Sequence, residues 1–169
     1  DPRVHGVAGD LLDPQVLVHT DPEEGRGPMQ GLAVGLAAAA EHAPVAFVCS
    51  TDLPFLHSAF VTAVLHGFDP APTSGEPEAS PDVVLPVVGG YRQPMAAGYR
   101  TDLAPRVEKL IEAERMRPAH LFEEVNVRQL DEATLLADAR LARADAELDS
   151  ARNVKTPDDY RAARARAAP

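Results

Sequence analysis

Two compact apolar runs, separated by a glycine–proline turn and an alanine-rich stretch, constrain this chain more than any other feature. QVLVH at residues 15–19 and VAFVC at residues 45–49 are short and rich in strand-forming side chains. VAFVC is continuously apolar, the pattern of a strand covered on both faces. Residues 29–42 between the runs are rich in Ala and Leu and predict a helix, with Gly27-Pro28 at its start, where proline is tolerated. Strand, helix and strand within about 35 residues is the unit from which parallel sheets are built. The fold class expected is therefore α/β.

The rest of the chain continues the alternation. Residues 57–66 predict a short helix. Residues 83–88 and 91–99 predict two strands joined by Gly89-Gly90, a hairpin signal, with Pro94 marking an edge or bulge. Residues 101–114 predict a helix capped by Thr101, with Leu103, Val107, Leu110 and Ile111 on one face. A short helix at 118–124, a strand at 125–130 and a charged helix-prone stretch at 132–148 follow. Residues 153–160 are expected to end a strand and open a final helix. Thr156 is its cap, Pro157 its first residue, and Asp158 and Asp159 lie in its first turn. The Pro-, Ser- and acid-rich segment 69–82 is expected to be a mobile surface loop without a catalytic part.

Composition narrows the function. Sixteen basic against 26 acidic residues leave a net charge of −10, which argues against a nucleic-acid or anionic-membrane binder. A local phosphate site is still compatible, because a few Arg residues, backbone N–H groups and a cation can hold one. The single cysteine, Cys49, excludes an internal disulfide and fits a reducing, cytoplasmic setting. It is expected to be inert packing within its strand. The longest apolar stretch, residues 31–40, falls short of the roughly 20 residues of a membrane span. The six histidines show no i, i+4 metal spacing, and no nucleophile elbow, Walker loop or dinucleotide fingerprint is present.

Three segments can carry chemistry. Ser50-Thr51-Asp52-Leu53-Pro54 follows the VAFVC strand, and ligands of open α/β sheets gather beyond the carboxyl ends of strands. An acid there suits Mg²⁺, which takes one or two carboxylates and keeps positions for phosphate and water. Asp52 could equally cap a helix beginning near Pro54. In the second segment, residues 24–32, glycines precede a helix whose N-terminus favours anions, although such a turn is often only a turn. In the third, Arg92 offers a fork for phosphate and Gln93 both a donor and an acceptor, unless Arg92 is merely a solvated edge residue.

Four segments stand in a fixed order: EGRGPMQGL at 24–32, VAFVCSTDLPFL at 45–56, GGYRQPMAAGYR at 89–100 and ARNVKTPDDY at 151–160. In that order and spacing the chain resembles the molybdenum cofactor guanylyltransferase family, a group of small Rossmann-like nucleotidyltransferases. The resemblance implies a single domain over residues 1–169, with a three-layer fold and a mostly parallel sheet. It also implies transfer of a guanylyl group from GTP to the terminal phosphate of the molybdopterin cofactor, releasing pyrophosphate. Asp52 would be the catalytic residue and principal Mg²⁺ ligand, with Asn153 at the metal's far edge. Asp21, Gly27 and Gly31 would lie near guanine and ribose. Arg92, Gln93 and Pro94 would line the side where the acceptor phosphate docks. GTP, the molybdopterin cofactor and other cofactor-assembly proteins would be the partners, with neither nucleic acid nor membrane among them.

Three departures accompany the resemblance. The family opens with a Gly-rich phosphate loop that supplies a Lys, and nothing in this sequence matches it. The expectation is that this strand and loop are missing from the present chain, whose 169 residues would then not catalyse the transfer alone. Lys155 stands where the family has Asn; it and Lys109 are the only lysines, and Lys155 is expected at the far end of the sheet. Thr51 is an extra residue between Cys49 and Asp52. Cytidylyl transfer, or a non-catalytic nucleotide- or cofactor-binding role, are the alternatives.

Overall fold

The computed structural model describes residues 16–23, 25–69 and 80–167. They form a five-stranded sheet with helices on both faces, the α/β three-layer arrangement expected. Helix α1 (Pro28–Ala39) leads into strand β1 (Val45–Cys49) and helix α2 (Ser58–His66). Strand β2 (Val83–Val88) turns through Gly89-Gly90 into β3 (Tyr91–Arg92) and β4 (Ala96–Arg100). Both glycines have positive φ, as the tight turn requires. Helices α3 (Ala104–Glu112) and α4 (Pro118–Phe122) cross to β5 (Val127–Leu130). Helices α5 (Glu132–Leu136), α6 (Ala139–Ala144) and α7 (Pro157–Ala167) complete the chain.

Side-chain alternation along the central strands builds the two cores. Val83 and Leu85 of β2, with Ala97 and Tyr99 of β4, face α1, α3 and α4 and pack on Met29, Leu32, Leu36, Val107, Leu110 and Leu121. Val84 and Ala96 point the other way, onto Phe60, Val64, Leu135 and Leu141 of α2, α5 and α6. A period of two in burial, set against amphipathic helices, is what gives a sheet covered on both faces. On that second face Gly98 lets Phe68 lie against β4: a Cβ at this position would stand 2.7 Å from the Phe68 ring.

The sheet is mostly antiparallel, a correction to the expected mostly parallel one. β4 pairs antiparallel with β1 (Val45↔Arg100 to Cys49↔Ala96) and with β2 (Val83↔Tyr99, Val84↔Gly98). β3 pairs antiparallel with β2, and the single parallel pair is β2 with β5. A two-residue turn forces antiparallel pairing between β2 and β3, whereas the links from β1 through α2 and from β4 through α3 and α4 both have the length of a crossover. The parallel partner expected at residues 15–19 is not a strand. Residue 15 lies outside the described residues, and Val16, Leu17 and Val18 are unpaired and 48%, 62% and 50% exposed.

Other boundaries shift for identifiable reasons. Thr101 does not cap α3. It is buried in a 3₁₀ turn (Thr101–Leu103) and its hydroxyl donates to the Ala43 carbonyl at 2.8 Å. The charged stretch at 132–148 breaks into α5 and α6 because Asp131 and Asp138 each cap a fresh start, accepting from Thr134 and from Arg140 and Leu141 N–H groups. Residues 152–156 form no strand before α7. The Thr156 cap is present: Asp159 N–H donates to its hydroxyl at 3.1 Å, and the Asp159 carboxylate accepts from Thr156 N–H at 2.9 Å. Cys49 is exposed at the end of β1 rather than packed within it. The expectation of a mobile loop at 69–82 falls largely on residues 70–79, outside the described residues.

Candidate active site

A bulge in the hairpin creates the site. Val87 faces Arg92 whereas Val84 faces Gly98, so three residues of β2 are matched by six on the returning strand. The surplus is Gln93-Pro94-Met95, which leaves the ladder between β3 and β4 at a proline that cannot donate to it. Gln93 N–H still donates to the Pro86 carbonyl at 2.9 Å, and Ala96 N–H closes the turn on the Gln93 carbonyl at 3.1 Å. The Gln93 amide nitrogen holds the Tyr91 carbonyl at 3.2 Å. The bulge thus stands fixed beside the carboxyl end of β1, where Ser50 N–H donates to the Met95 carbonyl at 3.0 Å.

Residues from three distant segments meet there around a cavity of about 340 Å³. Ser50 and Asp52 come from the loop after β1, Arg92, Gln93 and Pro94 from the hairpin, and Asn153 and Lys155 from the approach to α7. The Asp52 carboxylate accepts a hydrogen bond from the Ser50 hydroxyl, and its backbone carbonyl accepts from Val154 N–H at 2.9 Å. Helix α2 starts six residues after Asp52, and its cap is His57, whose Nδ1 accepts from Ala59 N–H at 3.1 Å. The capping alternative for Asp52 is thereby removed. Lys155, expected at the far end of the sheet, lines the same cavity as Asp52.

A fully buried hydroxyl fixes this geometry. Ser150 accepts from His57 N–H at 3.0 Å and donates to the Phe55 carbonyl at 3.4 Å, tying the loop after Asp52 to the segment before Asn153. Its own N–H is held by Asp145 at 2.9 Å. The sequence offered no sign of this residue, because a lone serine in a charged stretch carries no pattern. Cys49 at the strand end has its thiol pushed up by desolvation, which disfavours the thiolate and any nucleophilic role.

Asp21, Gly27 and Gly31 form a second group, at the N-terminus of α1. A Cβ on Gly31 would sit 3.7 Å from Asp21 Oδ1, so the two residues adjoin. Gly27 is the residue before α1, with φ 76° and ψ −169°, a region that residues with side chains rarely adopt, and a Cβ there would meet nothing within 4 Å. Between Gly25 and Gly27, both at positive φ, Arg26 reaches Glu23 at 2.8 Å and Glu114 at 2.5 Å. These partners hold the guanidinium firmly charged, the Glu23 hydrogen bond most of all. Because α1 returns through a short link into β1, the helix N-terminus and the strand's carboxyl end lie at the same end of the sheet. The two groups flank that end without sharing the 340 Å³ cavity.

The Asp52 cavity offers oxygen donors: one carboxylate, the Ser50 hydroxyl and the amide oxygens of Gln93 and Asn153. Such donors suit a hard divalent cation that keeps water and substrate oxygens as its other ligands. Among the described residues no cluster of three or more His, Cys, Asp or Glu side chains exists that could enclose a metal by itself. Nor is any helix of the described residues long and apolar enough to cross a membrane.

Comparison with known proteins identifies the family and the fold. Residues 3–131 match the family model described as the MobA-like NTP transferase domain. The chain is 34% identical over 129 residues to a probable molybdenum cofactor guanylyltransferase of Mycobacterium ulcerans, covering 75% of this chain and 60% of that protein. A protein of the same description from Mycobacterium avium is 37% identical over 92 residues, covering 54% and 42%. The chain therefore spans about half the length of the curated relatives it matches. Among solved structures, the molybdopterin-guanine dinucleotide biosynthesis protein A of Archaeoglobus fulgidus aligns with a TM-score of 0.72 at 22% identity. That alignment covers 99% of this chain and 75% of the other. It establishes the likeness of fold.

Proposed function

The chain belongs to the MobA-like NTP transferase domain family, and from that premise we propose that it transfers a guanylyl group from GTP to the terminal phosphate of a molybdopterin-type cofactor. The observation that carries the reading is the meeting of Asp52, Arg92, Gln93 and Asn153, from three separate segments, around one polar cavity at the carboxyl end of β1. The names of the mycobacterial relatives support the choice of GTP and of the cofactor.

In this reaction an oxygen of the acceptor phosphate forms a bond to the α-phosphorus of GTP. The bond from that phosphorus to the bridging β-phosphate oxygen breaks, and pyrophosphate leaves. Both reactants are anionic, so the protein's task is positioning and charge neutralisation rather than activation of a side-chain nucleophile. Asp52 and Asn153 would hold Mg²⁺, which when bound offsets phosphate charge. Arg92 presents a planar donor fork to the acceptor phosphate, and Gln93 and Pro94 shape that wall. Asp21, Gly27 and Gly31 receive the guanine nucleoside at the head of α1, where a missing side chain at Gly27 leaves room for close approach. Mg²⁺ dependence, additional cofactor-assembly partners and a cytoplasmic setting belong to the same proposal.

The test is incubation with molybdopterin cofactor, Mg²⁺ and either GTP or CTP, with the dinucleotide product separated and pyrophosphate quantified. Dinucleotide and pyrophosphate in equal amounts from GTP support the reading. Preference for CTP moves the protein to cytidylyl transfer, and binding of nucleotide without product, both by this chain and by one extended to the natural start, reduces it to a carrier.

A further inference from the structure

Lys155 and Arg92 face one cavity from different parts of the chain, and that pair has no explanation in the fold. The molecule carries a net charge of −10, and Arg26, Arg100, Arg115, Arg152, Arg161 and Arg166 are each engaged by carboxylates. Among the described residues, Arg92 and Lys155 enter no ion pair, as is also true of Arg106, Lys109, Arg117, Arg140, Arg143 and Arg164, but these two share one cavity with Asp52. Two cations and one carboxylate line this cavity, with the Asp159 carboxylate against the Lys155 backbone, and a concavity lined mainly by cations concentrates anions.

The backbone beneath both cations is fixed while their side chains stay free. Lys155 N–H donates to the Asp159 carboxylate at 3.2 Å, and Val154 N–H donates to the Asp52 carbonyl at 2.9 Å. The α-carbon of Lys155 is thus held between the loop that presents Asp52 and the cap of α7. On the opposite wall Arg92 is paired with Val87 in the hairpin. Gln93, the next residue, is held through its N–H to the Pro86 carbonyl. Both side chains are exposed, so their ammonium and guanidinium groups keep their water until a ligand replaces it.

We propose that Lys155, with Arg92, forms a phosphoryl-binding cradle beside Asp52, in which Lys155 supplies a point charge and Arg92 a planar fork. The assignment rests on the guanylyl-transfer reading for its biological ligand, but the cradle's chemistry requires only a phosphate-bearing anion. Two phosphates of the reaction qualify: the pyrophosphoryl part of GTP and the terminal phosphate of the acceptor. The cradle also provides the cationic side chain that nucleotide transfer needs.

The experiment uses inorganic pyrophosphate as the probe, with binding followed by calorimetry at low and high salt on the wild-type protein, Lys155→Gln, Lys155→Arg and Arg92→Gln. Wild-type binding that weakens with salt, falls ~10-fold in Lys155→Gln and returns to within about threefold in Lys155→Arg supports the cradle. Unfolding midpoints should not move, since the side chain is exposed. Equal binding by Lys155→Gln and wild type, or no wild-type binding at all, overturns it. Steady-state kinetics then separate the two phosphate sources: a raised KM for GTP assigns Lys155 to the nucleotide, and a raised KM for the acceptor assigns it to the cofactor. Lys155-dependent pyrophosphate binding without dinucleotide formation, both by this chain and by one extended to the natural start, would remove the proposed function and keep the cradle. Dinucleotide formation indifferent to Lys155 would do the reverse.

Discussion

The strand-end cavity and the loop ahead of α1 are built by opposite means. The cavity is held by backbone hydrogen bonds between elements: Ser50 to Met95, Gln93 to Pro86 and Val154 to Asp52, with buried Ser150 as a further tie. The loop is held by an exposed arginine clasp, a long Glu23 N–H to Gln30 bond at 3.3 Å and two glycines at positive φ. Solvated ion pairs add little stability and weaken in salt, whereas unmet backbone groups inside a fold are costly. The contrast assigns rigid positioning to the Asp52 side and adaptable recognition to the Gly27 side, the division expected when bond-making needs tighter geometry than base binding.

The largest expected effect lies in the rigid half. Asp52→Asn should lower turnover ~100-fold or more while leaving the unfolding midpoint within error, because the residue is half-exposed and its side-chain partner among the described residues is Ser50. Near-parental turnover would dismiss the carboxylate from the chemistry and with it the asymmetry between the two regions. Ser150→Ala comes next. It strands the His57 N–H and the Phe55 carbonyl, and should cost about 1–3 kcal/mol by chemical denaturation. A neutral result would show that the backbone bonds alone hold the cavity.

Substitutions in the loop should act on binding. Gly27→Ala forces a side chain into a conformation reserved for glycine, at a local cost of about 1–3 kcal/mol, and should raise KM for GTP more than it lowers kcat. Gly35→Ala, further along α1, is the control, since its Cβ would meet nothing within 4 Å. If the two variants behave alike, the backbone conformation at Gly27 is not what the nucleotide reads.

These two regions were not equally legible in the sequence. Asp52, Arg92 and Gln93 could be nominated because each stands at a strand end or turn, where chain direction confines the side chain, whereas Asn153 was named by the family resemblance alone. The proline at 94 announced a bulge, and the glycines at 89 and 90 a hairpin. Sheet direction was misread because VAFVC is apolar at every residue, and an unbroken apolar run carries no information about which way its neighbours run. The placement of Lys155 was missed for a related reason. It depends on Val154 folding back onto the Asp52 carbonyl, a contact between residues about a hundred apart that leaves no local signature. Ser150 and the Arg26–Glu114 clasp are equally long-range.

The smallest effect concerns the helix that follows Lys155. Asp159 accepts from Thr156 and Lys155 N–H groups at the head of α7, and its hydrogen bonds with Thr156 hold its pKa below the usual 3.8. A carboxylate whose folded-state pKa is depressed adds stability above its ordinary pKa and loses it as pH falls through the depressed value. The start of α7, and with it the backbone under Lys155, should therefore loosen only in acid. Amide exchange at residues 155–160, compared between about pH 6 and about pH 2.5 after correction for intrinsic rates, checks this. Asp131 and Asp138, which cap α5 and α6, are likewise held below their usual pKa by hydrogen bonds, from Thr134 and from Leu141 and Arg140 respectively, so those helix starts should also weaken in acid. The core strands β2 and β4, which contribute no titrating side chain in that window, should hold. An Asp159→Asn protein should lose the acid step at α7 alone, since the amide still accepts a hydrogen bond but no longer titrates. If that variant keeps the step, the loosening belongs to the molecule as a whole and the cap does not govern the Lys155 wall of the cavity.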